Sequence, residues 1–190
     1  RRHTRYISVT GIQTCALPIF PKEARKFSRA HWTPLAVAMR AAAWLVAKPG
    51  ARVLDVGSGS GKLCLVGAAT TSGHFTGIER DAELVDLAKT LAREHAVPRV
   101  KFLTGDALSL DWGRFDAIYF FNPFALWSTD EGEFLATISR TSAKLTALPT
   151  ATRVVTYHGF GGPMPPGFRQ EAAEIVGPGI LQLWVKDQSP

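Results

Sequence analysis

The sequence predicts an α/β protein built on an open, mostly parallel sheet, and three observations carry that prediction. An apolar strand ends in an acid, turns through three glycines and enters a helix: Val53-Leu54-Asp55-Val56-Gly57-Ser58-Gly59-Ser60-Gly61, then Leu63-Cys64-Leu65-Val66-Gly67-Ala68-Ala69. Strand-like and helix-like segments then take turns along the chain, as parallel strands joined by helical crossovers require. The final stretch breaks the alternation with two strand-like runs joined by Gly177-Pro178-Gly179, a closing antiparallel hairpin.

The elements follow in order. Thr33 as N-cap and Pro34 at the first helical position start a helix that runs to about Ala47, where Lys48-Pro49-Gly50 stops it. Arg52 to Val56 is the first strand. A helix covers roughly Lys62 to Thr70, and His74 to Glu79 is a second strand entered through Ser72-Gly73. Asp81 caps a helix whose apolar stripe is Leu84, Val85, Leu87, Ala88 and Leu91. Val100 to Leu103 is a third strand. Phe115 to Phe121 is the most β-prone run and ends at Asn122-Pro123, where proline removes a ladder donor. A helix from about Asp130 to Leu145 leads to a fifth strand, Arg153 to Tyr157. Gly159 to Gly167 is a glycine and proline loop, and the hairpin strands are Gln170 to Val176 and Ile180 to Val185.

Composition narrows the class. Val9-Thr10-Gly11-Ile12-Gln13-Thr14-Cys15-Ala16-Leu17-Pro18-Ile19 resembles an in-frame translation of a short-read sequencing adapter, so we expect residues 1–19 to lie outside the domain and 20–190 to form a single one. Removing Arg1, Arg2 and Arg5 from the formal charge of +6 leaves +3, too mild a balance to mark a nucleic-acid binder. No basic helix or aromatic-interleaved basic strip suggests DNA or RNA. Cys64, the one cysteine of that domain, reads as a small buried thiol rather than a nucleophile or ligand, and the lack of a disulfide framework suits a cytoplasmic protein. An apolar content of 46% is enough for a sizeable core, while the longest apolar stretch, Leu35 to Ala47, is broken by Arg40 and is too short to span a bilayer.

The acid two residues ahead of the first glycine sets the turn apart from nicotinamide and flavin sites, which usually carry an apolar residue there. With that acid, Asp55-Val56-Gly57-Ser58-Gly59-Ser60-Gly61 resembles motif I of the class I S-adenosylmethionine-dependent methyltransferases. The resemblance extends over nearly all of the chain from about Trp32. It implies a Rossmann-like, seven-stranded, mostly parallel sheet with a C-terminal antiparallel hairpin and helices on both faces. The segment between the fifth and sixth strands departs from the family, being too rich in Gly and Pro for the usual helix, and reads as a shortened crossover or active-site loop.

The resemblance also implies roles. Asp55 would face the methionyl ammonium of S-adenosylmethionine, and Gly57, Ser58, Gly59 and Gly61 would let the backbone approach its methionyl and ribose portions. Glu79, in Gly77-Ile78-Glu79-Arg80 about twenty residues on, stands where unrelated nucleotide-binding folds place an acid on the ribose hydroxyls. The position favours ribose binding, with Arg80 beside it in the cofactor site, over the alternative of a surface acid paired with Arg80. Asp106, in Thr104-Gly105-Asp106-Ala107, matches the family acid that accepts from the adenine amino group, with the Ala107 amide meeting the ring. By itself Asp106 reads as a helix N-cap.

Asn122-Pro123-Phe124 ends the fourth strand, where methyl acceptors bind in this fold, and resembles the Asn/Asp-Pro-Pro-Tyr motif of amino-group methyltransferases. There a side-chain group and a backbone carbonyl accept from the target amine and a ring stacks on it. Here the second proline is absent and Phe124 stands one place early, so a strand-ending turn with a core phenylalanine is an equal reading. A local likeness of the glycine loop and of Phe121-Asn122-Pro123-Phe124-Ala125 to the non-SET histone-lysine methyltransferases favours a nitrogen acceptor, on a protein side chain or a small molecule. His158 is a candidate base or orienting group, with a loop hydrogen bonder as the alternative. Trp32, Trp127, Phe160 and Phe168 are candidate pocket walls that equally suit a core. The acceptor's identity and the oligomeric state are not readable.

Rival chemistries fit less well. Gly57 and Gly61 enclose three residues rather than the four of a P-loop, and Leu63 replaces its Mg²⁺-binding hydroxyl. A nicotinamide oxidoreductase would want its third glycine at Lys62, and a zinc or Cys-His enzyme would want more ligands. The alternative outside enzymes is a cofactor-binding module without turnover.

Overall fold

A computed structural model of the chain describes residues 33–124 and 130–187. The elements are α1 (Leu35–Leu45), β1 (Arg52–Val56), α2 (Lys62–Thr70), β2 (His74–Glu79), α3 (Ala82–Glu94), β3 (Val100–Thr104), β4 (Ala117–Phe120), α4 (Glu131–Thr146), β5 (Arg153–Tyr157), β6 (Phe168–Val176) and β7 (Gly179–Lys186). Two short 3-10 turns, Ala107–Ser109 and Trp112–Arg114, link β3 to β4. Trp32 and Trp127 lie outside the described residues, as do residues 1–19.

Seven strands form one sheet in the order β3-β2-β1-β4-β5-β7-β6. The pairs from β3 across to β5 are parallel, and β7 runs antiparallel between β5 and β6. This is the expected architecture. Strand β4 and, after its first position, strand β1 are buried on both faces, which is why apart from Asp55 they read as apolar runs rather than as alternating ones. Val53, Tyr119 and Val155 project into the core under α1, α2 and α3, while Leu54, Val56, Ile118, Phe120 and Val154 meet α4 and the 3-10 turns on the other face. Both faces therefore carry helices.

Local chemistry accounts for most boundaries. Asp81 caps α3 by accepting from the Glu83 and Leu84 amides, and Asp130 caps α4 from the Glu133 amide. The hairpin strands extend slightly beyond the expected Gln170 to Val176 and Ile180 to Val185, and two other shifts have a visible cause. Pro34, not Thr33, is the N-cap of α1, because the Thr33 hydroxyl is turned inward to the Tyr119 hydroxyl at 3.4 Å instead of to the helix amides. β4 is shorter than the β-prone run around it, because a 3-10 turn ends at Arg114 and Asp116 is spent on pinning β1. The segment from His158 to Gly167 holds no helix, as its glycines and prolines predict. Among the described residues no helix is long and apolar enough to cross a membrane.

Candidate cofactor and acceptor site

The strand order reverses at β1, between crossovers that run on opposite faces, so a crevice opens beyond the carboxyl ends of β1, β2 and β4. The glycine loop forms its floor. Gly57, Gly59 and Gly61 all take left-handed conformations, with φ of 71°, 53° and 78°. The Gly57 and Ser58 amides both donate to the Ile78 carbonyl at 3.0 Å, folding the loop back over the end of β2. Space is open above Gly59, where an added Cβ would meet no atom within 4 Å.

Glu79 is buried at the end of β2 and acts as the clamp of the loop. One carboxylate oxygen accepts from the Gly59 amide at 3.0 Å, and the other accepts from the Arg80 and Asp81 amides at 2.7 and 3.1 Å. It is not the surface partner of Arg80. That guanidinium reaches instead to Asp106, 3.2 Å away, with Arg140 of α4 at 3.9 Å on the other oxygen. Asp106 also caps the first 3-10 turn through the Leu108 amide at 3.0 Å. Burial works to raise its carboxyl, but the Leu108 amide and then Arg80 and Arg140 outweigh it and hold Asp106 below the usual carboxylate range.

Glu79, Arg80, Asp106 and Ala107 line one cleft together with Gly57, Pro123 and Phe124. Two carboxylates in a partly apolar cleft beside an open glycine loop fit a nucleoside bearing hydroxyl and amino donors, and so fit S-adenosylmethionine.

Asp55 lies behind the loop on the α1 to α3 face, 4% exposed and outside that cleft lining. Its register neighbours are Gly77 on β2 and Tyr119 on β4. The Cys64 thiol donates to it at 3.5 Å. Burial above all pushes the Asp55 carboxyl up to about 7; the thiol pulls it back slightly and the charge of Glu79 adds to the rise. Burial, and then the charge of Asp55, pushes the Cys64 thiol up in turn, which fits a packing thiol and not a nucleophile.

The acceptor candidates cluster at the ends of β4 and β5. Asn122 is exposed in a left-handed conformation, φ 42°, and its amide donates to the Gly159 carbonyl at 2.9 Å. Pro123 is buried against the glycine loop, so close that a Cβ on Gly57 would stand 2.8 Å from its own Cβ. The Asn-Pro turn therefore rests on the loop, with Phe124 in the cleft wall. His158, also left-handed at φ 62°, is exposed and stacks against Tyr157 and Phe121 at 4.4 and 5.6 Å, away from the cleft lining. Phe160 is core, tilted on Phe120 at 5.6 Å. Phe168 lies under Lys186.

The sequence reading missed the far wall. Glu133, Phe134 and Thr137 of α4 line the cleft opposite Glu79. Glu133, Thr137 and Arg140 recur at i, i+4 and i+7, and with Phe134 beside Glu133 they make a helical face that carries both polar and aromatic groups, which was the available signal.

Comparison with known proteins agrees with this geometry. The profile of a methyltransferase domain family matches residues 47–155. A search of curated proteins found no match. Among solved structures, the chain is similar to TrmN from Thermus thermophilus, with 24% identity and a TM-score of 0.67 over 87% of this chain and 52% of that one. It thus spans about half of that protein's length. An RNA methyltransferase from Salinibacter ruber in complex with S-adenosyl-L-homocysteine aligns with 20% identity and a TM-score of 0.63 over 84% of this chain and 95% of that one. The [4+2]-cyclase SpnF aligns with 28% identity and a TM-score of 0.53 over 68% and 47%. With the profile match covering more than half of its length, and with the sheet order and cleft described above, the chain belongs to the methyltransferase domain family, class I, whose cofactor is S-adenosylmethionine.

Proposed function

We propose that the chain transfers a methyl group from S-adenosylmethionine to a nitrogen atom of its acceptor, a protein side chain or a small molecule. The observation that carries this reading is the seating of the Asn122-Pro123 turn on Gly57, which couples an amide-bearing strand end to the cofactor loop. Glu79 would accept from the ribose hydroxyls, Asp106 from the adenine amino group, and Asp55 from the methionyl ammonium. Ala107 offers its amide to the ring, and Gly57, Ser58, Gly59 and Gly61 provide close backbone approach. Arg80 keeps Asp106 ionised and oriented. When bound, the cofactor supplies a methyl group on a sulfonium whose sulfur leaves readily. The protein's part is then proximity, alignment and exclusion of water. Asn122 and the Pro123 carbonyl would accept from the target amine, Phe124 would stack on it, and His158 would take up or orient a proton.

A second reading, cofactor binding without methyl transfer, is favoured by the exposure of Asn122 and His158 and by the likeness to SpnF, which is described as a cyclase. One experiment separates the two. S-adenosylmethionine is titrated calorimetrically into the parent chain and into Glu79→Ala and Asn122→Ala, with NAD as control, and turnover is followed on amines, peptides and RNA. Glu79→Ala should weaken binding by about 10- to 100-fold, the loss of charged hydrogen bonds. Asn122→Ala should leave binding within about threefold and lower kcat by about 100-fold, the scale of losing one positioned polar group. Intact binding with no turnover that depends on Asn122 would favour the second reading, and preference for NAD would sink both.

A further inference from the structure

Asp55, behind the glycine loop and outside the cleft lining, differs from the two carboxylates Glu79 and Asp106 in how little holds its charge. Glu79 takes three backbone N–H donors. Asp106 takes one amide and two guanidinium groups. Asp55 is 4% exposed and has the Cys64 thiol, a weak donor at 3.5 Å. Among the described residues no lysine or arginine forms an ion pair with it. The groups facing it from the neighbouring elements are Cys64 on α2, Glu79 on β2 and Tyr119 on β4, and the Tyr119 hydroxyl is engaged by Thr33. None of them supplies a positive charge. A buried carboxylate so placed either keeps a proton or receives a cation from outside.

We propose that Asp55 exchanges its proton for the cationic amine of the cofactor: the carboxyl is the acid beside Cys64 when no ligand is bound, and arrival of the amine sends that proton to solvent. The inference rests on the reading of Asp55 given under the proposed function. No bond other than O–H is broken, and the charge lost by the leaving proton is replaced by the ammonium. Burial pushes the carboxyl up to about 7, so the exchange is readable between pH 6 and pH 8. Affinity for an amine-bearing ligand should then rise about tenfold per pH unit up to pH 7 and flatten above it.

The test is calorimetry on the full chain with S-adenosylhomocysteine, which carries the amine, in buffers of low and high ionisation enthalpy. The expected release is the larger part of a proton per ligand bound near pH 6 and a much smaller part near pH 8. 5′-Methylthioadenosine, which lacks the amino-acid portion, should bind with the same heat in both buffers. Asp55→Asn should abolish the release for S-adenosylhomocysteine, and the buffer comparison on the unaltered chain stands even if that variant folds poorly. Buffer-independent heats for S-adenosylhomocysteine near pH 6 would overturn the proposal and leave the proposed function standing. Equal release with both ligands would overturn it too, by locating the proton elsewhere. No binding of S-adenosylhomocysteine by the folded chain would overturn the proposed function and this inference together.

Discussion

Asp116 does at the amino ends of the strands what Asp55 does not do at the carboxyl ends. It accepts from the Arg52 amide at 2.9 Å and from the Arg52 guanidinium at 3.1 Å, with Lys48 at 3.1 Å on its other oxygen. Burial raises its carboxyl, but Arg52 and Lys48 prevail and bring it down to about 2. Because the folded value lies below the ordinary 3.8, this stability is present above about pH 4 and is lost as pH falls towards 2. Asp116→Asn should therefore lower unfolding stability by roughly 1–2 kcal/mol at pH 7, after screening, and by almost nothing near pH 2. Urea titrations at the two pH values check this. At this scale the sequence showed its carboxylates unevenly. Asp55, Glu79 and Asp106 were readable because each sits at a strand end at family spacing. The partners that set their charge, Cys64, Arg80 and Arg140, are joined to them only by the fold.

At the scale of the element, α2 shows where propensity misleads. Gly67 in the middle of a helix reads as a weakness, and replacing it with alanine ought to gain about 1 kcal/mol in helix propensity. The structure gives it a reason. A Cβ at Gly67 would land on the ring of Phe75 in β2, which is itself 1% exposed and has no room to yield. Gly67→Ala should thus lose stability, by about 1–3 kcal/mol net of the propensity gain, as overpacked cores do. A denaturant midpoint equal to or above the parent's would show that α2 can lift from β2 without cost. The boundaries of β1, α2, β2 and β5 were readable because glycine, proline or a capping acid marks them locally. Those of α1 and β4 shifted where a side chain was claimed by a distant strand, Thr33 by Tyr119 and Asp116 by Arg52.

For the whole molecule, the alternation of strands and helices made the sheet readable, while the cleft was readable on one side only. Its floor and near wall come from strand ends, which sequence marks with acids and glycines; its far wall is a face of α4 that acquires meaning only once β4 and β5 are paired. The same assembly sets an opposition between the two ends of the sheet that a stability curve should display. Asp116 contributes a limb that falls in acid. Asp55 contributes one of the opposite sign, since its folded value of about 7 exceeds 3.8: stability from this group is complete below about pH 4 and declines as pH rises through 7. The full decline is on the order of 4 kcal/mol, the cost of ionising a carboxyl with only a thiol beside it. Asp55→Asn should keep the acid limb and lose the other, so that its melting temperature exceeds the parent's by at least about 4 °C at pH 8 and matches or falls below it at pH 4. Saturating S-adenosylhomocysteine should flatten the parent's alkaline decline by supplying the missing cation, and should leave that of the variant unchanged. A parent melting temperature that climbs steadily from pH 4 to pH 8 without ligand would mean that Asp55 is ionised in the folded chain by a group outside the described residues.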